Sequence, residues 1–215
     1  MAATRTRLPV DARREQLLEA GATLFSTRSW EEVSIEEIAA AAGVSRGLLY
    51  HYFAGKRDFY VACIEYLVDR LRALEPDPAL PPAEQLRVGL ERFFENIERN
   101  PEMHLTLRRV APADTVVAQI VERDREAFIA LVLNAVPGGW ESPLARAVVR
   151  SWLASVEAAG MHWRERHDVP PEQLIDVLSR SLAAAMIAAA ALDPAIVLPS
   201  YLVDAQPPPV GPPAA

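Results

Sequence analysis

Apolar residues recur three and four positions apart through most of this chain, the spacing of one face of a helix. No stretch keeps the strict alternation of a half-buried strand. Leu17, Leu18, Gly21, Leu24 and Phe25 mark a first helix, capped by Asp11 and ending near Thr27. Ile35, Ile38 and Ala39 mark a short second helix, and Leu49 with Phe53 a short third over Ser45 to Tyr52. Trp30 and Val33 are expected to cover the base of these three. Val61, Ile64, Leu67, Val68 and Leu71 predict a long fourth helix from Gly55 to about Leu74. It joins the first three to the rest without a flexible linker.

The remainder continues in the same period. Prolines at 76, 78, 81 and 82 break the chain before a helix from Ala83 to Arg99, with Leu86, Leu90, Phe93, Phe94 and Ile97 inward. A short helix is expected from Pro101 to Val110, and a longer one capped by Asp114 and running to Val136. Pro137-Gly138-Gly139 is a break. Two long amphipathic helices close the chain, Ser142 to His167 and Pro170 to Leu192. The tail from Gln206 is too rich in proline to pack and is expected to be disordered. The expectation is an all-α protein of about nine helices: a three-helix head over residues 1–55, a larger helical-bundle body over 56–199, and a Pro-rich tail over 200–215.

The second and third helices carry the most specific local chemistry. Ser34 and Glu37 have the spacing of a capping box, flanked by Val33 and Ile38 as a hydrophobic staple. Gly43 suits the left-handed residue that ends a helix, and Ser45 can cap the next. So short a connection favours a steep crossing, as in a helix-turn-helix. With Leu49 and Phe53 inward, Arg46, Gly47, Tyr50 and His51 fall on or beside the other face of the third helix. From Ile38 to Arg57 there is no acidic residue, while Arg46, Lys56 and Arg57 are present, and Lys56 is the only lysine in the chain. A surface that approaches phosphates needs such a local absence of carboxylates.

Charge fits that picture once it is divided. The net charge is −7, yet residues 1–60 hold eight basic and eight acidic side chains, so the excess acid lies in the rest. An acidic body behind a neutral head suppresses non-specific adsorption to nucleic acid. Arg5 and Arg7 read either as a frayed terminus or as an arm that touches DNA.

The pattern Ser34-Ile35-x-x-Ile38-Ala39-x-x-Ala42-Gly43-Val44-Ser45-x-Gly47-x-Leu49-Tyr50-x-Tyr52-Phe53-x-x-Lys56-x-x-Phe59 resembles the N-terminal DNA-binding domain of the TetR family of transcriptional regulators. The resemblance covers roughly the first quarter of the chain; beyond it only length and helical content agree. It implies double-stranded DNA as partner, a homodimer on a palindromic operator, and release by a small-molecule effector bound in the body. By match to the motif, Ser34 would contact phosphate. Ser45, Arg46 and Gly47 would face the major groove. Tyr50 and Tyr52 would reach phosphate, sugar or thymine methyl. His51 would be a base reader, and Lys56 would clamp phosphate in the first turn of the fourth helix. Ser34 and Ser45 also suit a purely capping role, and Tyr52 a place in the core.

The alanine- and serine-rich last two helices could pair with a second copy as a four-helix bundle, or simply close the monomer core. Phe93, Phe94, Met103, His104, Trp152, Met161 and Trp163 could line an effector site, but the same pattern suits ordinary core, and the ligand residues stay open. An alternative is a body that binds a protein partner instead of a small ligand.

No phosphate loop, nucleophile elbow or metalloprotease motif occurs, so no catalytic residue, cofactor or metal is expected. His162 and His167, five apart, point to different faces of a helix. Cys63, the single cysteine, reads as a buried structural thiol. No signal peptide is read at the N-terminus. Leu182 to Leu192, the most apolar later stretch, is too short to span a bilayer. A cytoplasmic protein with no membrane partner is expected.

Overall fold

The computed structural model describes residues 10–28, 30–72, 76–99, 104, 105, 107 and 114–199. Among these are eight α-helices and no strand. They are α1 (Val10–Thr27), α2 (Ile35–Ala41), α3 (Arg46–Tyr52), α4 (Lys56–Arg72), α5 (Pro82–Arg99), α6 (Thr115–Asn134), α7 (Pro143–Arg166) and α8 (Pro171–Ala190), with a 3-10 turn at Gly139–Glu141. The short helix expected over Pro101 to Val110 falls mostly outside the described residues; His104, Leu105 and Leu107 are helical. The N-terminal arm with Arg5 and Arg7, and the tail from 200, also lie outside them. α1 begins at Val10, which puts Asp11 inside its first turn rather than at its cap.

The chain divides into two compact units, Met1–Ala73 with Asn100–Glu122, and Leu74–Arg99 with Arg123–Ala215. In the first unit α1 packs on α2 and α4. Its core holds Leu17, Leu18, Phe25, Val33, Ile38, Leu49, Phe53, Phe59, Tyr60, Cys63 and Ile64. α4 is buried more fully than its apolar stripe predicts. Phe59, Tyr60, Ala62, Cys63 and Ile64 are all buried, because neighbours cover more than one side of the helix. Rings join at its start: Phe53 meets Phe59 edge-on at 4.9 Å, and Tyr60 meets Phe25 edge-on at 5.1 Å. Such offset and edge contacts suit the ring quadrupole. Cys63 is fully buried, its Sγ 3.7 Å from the Leu18 carbonyl, and burial pushes its thiol far above the ordinary range. That is the inert structural thiol expected.

In the second unit α7 and α8 pack on one another and α5 lies against both. The Trp152 indole donates to the Leu178 carbonyl at 2.8 Å, and that of Trp163 to the Val169 carbonyl at 3.0 Å. Phe94 meets Trp163 edge-on at 5.4 Å. These rings are packed with their polar atoms satisfied. Ser142 caps α7, accepting from the Ala145 amide at 3.1 Å and donating to Asp193 at 2.5 Å.

α8 has the length and apolar composition of a helix that could cross a membrane, but by those two properties alone, and the expectation for Leu182 to Leu192 stands. One face of α8 is built into the core of the unit. Ile175, Leu178, Leu182, Met186 and Ala189 are buried within the unit, and Glu172, Asp176 and Arg180 ride the exposed side.

Candidate nucleic-acid interface

α2, the turn after it and α3 are built by local rules. The Ser34 hydroxyl accepts from the Glu37 amide at 3.1 Å, and the Ser34 amide donates to the Glu37 carboxylate at 2.8 Å. This closes the reciprocal cap. Gly43 stands at φ +65°, and its amide returns to the Ala40 carbonyl while that of Val44 returns to Ala39. A residue with a side chain is strained there, which is why the turn uses glycine. Ser45 then caps α3, its hydroxyl accepting from the Leu48 amide at 3.2 Å.

Leu49 is fully buried and Phe53 nearly so, which fixes the roll of α3. Ser45, Arg46, Gly47, Tyr50 and His51 are consequently exposed, while Ser34, Tyr52 and Lys56 are half-buried. Tyr50 is 52% exposed, unusual for so large a ring. Tyr52 leans on His51 and Phe53 and packs against the core.

Lys56 opens α4, as its spacing predicts. Its ammonium donates to the Glu31 carbonyl at 3.2 Å and lies 5.2 Å from the centre of the Trp30 ring. Trp30 stacks on Tyr60 at 5.8 Å, so the ring that receives the cation is anchored in the core. Arg57 stands 5.3 Å from the Trp30 ring and is also paired with Asp114.

Two acids, Glu36 and Glu37, pair with arginines at this surface in ways that spacing along the chain does not reveal. Arg46 Nη1 bonds Glu36 Oε1 at 2.5 Å. The Glu36 hydrogen bond raises the Arg46 pKa, and the same bond holds the Glu36 carboxyl below its ordinary range. Arg28 bonds Glu37 at 2.7 Å and the Glu32 carbonyl at 2.5 Å. The Arg28 hydrogen bond, followed by those from Ser34, pulls the Glu37 carboxyl down to about 2. The acid-free run from Ile38 to Arg57 is real in sequence, but α2 brings Glu36 back onto it. Ten residues and a turn separate Glu36 from Arg46, so no rule for neighbours on one helix finds the pair.

Among the described residues no group of three or more His, Cys, Asp or Glu side chains could hold a metal ion. His167 ends α7 at φ +48° and bonds Glu98 at 3.0 Å.

The chain matches known proteins across both units. Residues 17–63 match the family described as bacterial regulatory proteins, tetR family, and residues 82–185 match a Tetracyclin repressor-like C-terminal domain. The HTH-type transcriptional activator FasR of Mycolicibacterium smegmatis is 30% identical over 165 residues, covering 73% of this chain and 74% of FasR. The HTH-type transcriptional repressor KstR2 of Mycobacterium tuberculosis is 33% identical over 94 residues, 42% of this chain and 47% of KstR2. A crystal structure of a tetR-family transcriptional regulator from Streptomyces coelicolor shares the fold with a TM-score of 0.73 and 30% identity, over 95% of this chain and 94% of that one. A helix-turn-helix with this cap, turn and exposed third helix, matched in both parts of the chain, makes the protein a member of the TetR family of transcriptional regulators.

Proposed function

We propose that this regulator is a homodimeric, ligand-responsive repressor that holds a palindromic operator and releases it when a small molecule binds the body. Residues 1–55 form its DNA-binding domain and residues 56–199 its ligand-binding and dimerisation domain. The observation that carries DNA reading is α3. Its core face is fixed by Leu49 and Phe53, and Arg46, Gly47, Tyr50 and His51 are displayed on a helix with no acid of its own. Ser45, at its N-cap, faces the groove with them, while Ser34, Tyr52 and Lys56 serve as phosphate contacts. Two such heads one helical turn of DNA apart, about 34–36 Å, would meet successive major grooves.

Dimerisation through α7 and α8 is supported by a shallow cleft of about 420 Å³, lined by Ala147, Val148, Ser151, Trp152, Ser155, Ser181 and Ala185. Small side chains let a second helix pair approach closely. Val177, 61% exposed on α8, offers apolar area to be covered. The effector must prefer the released state, because only differential affinity shifts an equilibrium. The reading places the protein in the bacterial cytoplasm and gives it no enzymatic step.

Repression rather than activation follows family habit and the KstR2 likeness, whereas FasR is named an activator. Selection of bound DNA from a random pool, followed by affinity across a salt series, tests the core of the reading. A palindromic winner bound far more tightly than random DNA is expected. No enrichment at moderate salt by well-folded protein would overturn it and turn attention to a protein partner of the body. Reporter expression from the selected site then separates repression from activation.

A further inference from the structure

Glu36 lies in the first turn of α2, where its charge suits the helix N-terminus, yet it is not the residue that closes the cap. Its neighbour Glu37 closes the cap at Ser34 and bonds Arg28, whereas the side-chain bond Glu36 makes among the described residues goes to Arg46. Both partners are exposed, Arg46 at 64% and Glu36 at 60%, so the pair adds little to stability. Yet it stands beside the helix that reads DNA, where an unneutralised carboxylate repels phosphate.

The bond has a definite geometry. It takes Nη1 of the guanidinium and leaves the Nε–Nη2 edge, two parallel donors in one plane. Two parallel donors are what the O6 and N7 acceptors of guanine require. An unpaired arginine on a long flexible stem can turn to either neighbouring phosphate instead. Pairing with Glu36 restricts the stem and cancels much of the pull toward phosphate, while the free edge keeps its donors.

We infer that Glu36 is a specificity-determining residue. It holds Arg46 for a guanine edge and keeps it from serving as a general phosphate contact. This rests on the reading of α3 as the DNA-contacting helix, and the test separates the two. The full-length wild type is first taken through selection from random DNA; absence of a winner defeats the DNA-reading assignment itself, and this inference with it. With an operator in hand, wild type, Glu36→Gln, Glu36→Ala, Arg46→Ala and the Glu36→Gln/Arg46→Ala pair are measured. The DNAs are the operator, a set with each base pair replaced, and random DNA, across a salt series.

Expected for both Glu36 variants are tighter binding to random DNA, a salt slope steeper by about one, and discrimination at one guanine weakened about 10-fold. In the Arg46→Ala background the loss of discrimination on replacing Glu36 should vanish. Three results would overturn the inference. One is an equal gain on operator and random DNA with discrimination intact, the signature of simple charge repulsion. Another is the same change in discrimination whether or not Arg46 is present. The third is no change in either variant.

Discussion

Asp114 and Arg57 join the start of α6 to the start of α4 within the first unit. Both terminal nitrogens of Arg57 bond the Asp114 carboxylate, Nη2 reaching Oδ1 at 2.8 Å. The same Oδ1 accepts from the amides of Val116 at 2.9 Å and Val117 at 3.2 Å, so one carboxylate is both ion-pair partner and N-cap. Its side chain is only 12% exposed, which sets it apart from the loose surface pairs on this protein.

These two roles separate by substitution. Asp114→Asn keeps a good capping side chain and loses the charge, while Asp114→Ala loses both. A lost cap costs about 0.5–2 kcal/mol, so the alanine variant should be the less stable by about 1 kcal/mol. Urea unfolding at neutral pH reads this directly. Equal stability of the two variants would show that the cap contributes nothing.

Acid should weaken the protein in two stages. Burial of His104 lowers its pKa from 6.5 to about 4. Between those values the unfolded chain binds the proton and the folded protein does not, so stability falls as pH falls, by at most about 3 kcal/mol. Asp114 acts lower. The Arg57 hydrogen bond holds its carboxyl below the ordinary 3.8, so its contribution is complete above that value and is lost as pH drops beneath it. His104→Leu should flatten the upper stage and leave the lower one. A slope between pH 6.5 and 4 that survives in His104→Leu would assign it to another group.

Local rules made the capping box, Gly43, the Ser45 cap and the roll of α3 readable from sequence, because each depends on residues within a turn or two. The ends of α2 and α3 and the start of α4 followed from local signals of the same kind. Pairings between elements did not. Glu36 with Arg46, and Asp114 with Arg57, lie ten and 57 residues apart, and only the packed fold brings them together. The burial of Phe59 and Tyr60 outside the apolar stripe of α4 was hidden for the same reason: a stripe shows the face a helix must cover, not how many neighbours cover it.

Two glycines of the head should fail for different reasons when replaced. A Cβ at Gly21 would stand 2.4 Å from the Phe59 ring and 2.6 Å from Cys63 Sγ, both fully buried. Gly21→Ala therefore overpacks the core, at about 1–3 kcal/mol. A Cβ at Gly43 meets nothing within 4 Å, but φ is +65°. Gly43→Ala should cost about 1–2 kcal/mol in backbone strain alone. Asparagine tolerates that backbone better, so Gly43→Asn should recover part of the loss. Denaturant midpoints decide; an asparagine variant no more stable than the alanine one would point to a cause other than φ.

The proposed dimer face can be tested with one charge. Ala185→Arg places a cation in the cleft beside Ser151, Ser155 and Trp152. If α7 and α8 meet a second copy there, the variant should sediment as a folded monomer and bind a single half-site weakly. A variant that remains dimeric would move the interface elsewhere.

Lys56 and Arg46 should behave differently toward DNA because they are held by different groups. The Lys56 ammonium rests on a carbonyl and an aromatic ring, neither of which carries a formal charge, so its charge stays available to phosphate. Arg46 is paired with a carboxylate. Lys56→Ala should weaken binding to every sequence by a similar factor and reduce the salt slope by about one. Arg46→Ala should lose about 1–3 kcal/mol on the operator and change random DNA binding little. Fluorescence titrations of operator and random duplexes over a salt series measure both. Matching losses for the two variants on the two DNAs would remove the division between a base-reading arginine and a phosphate-holding lysine.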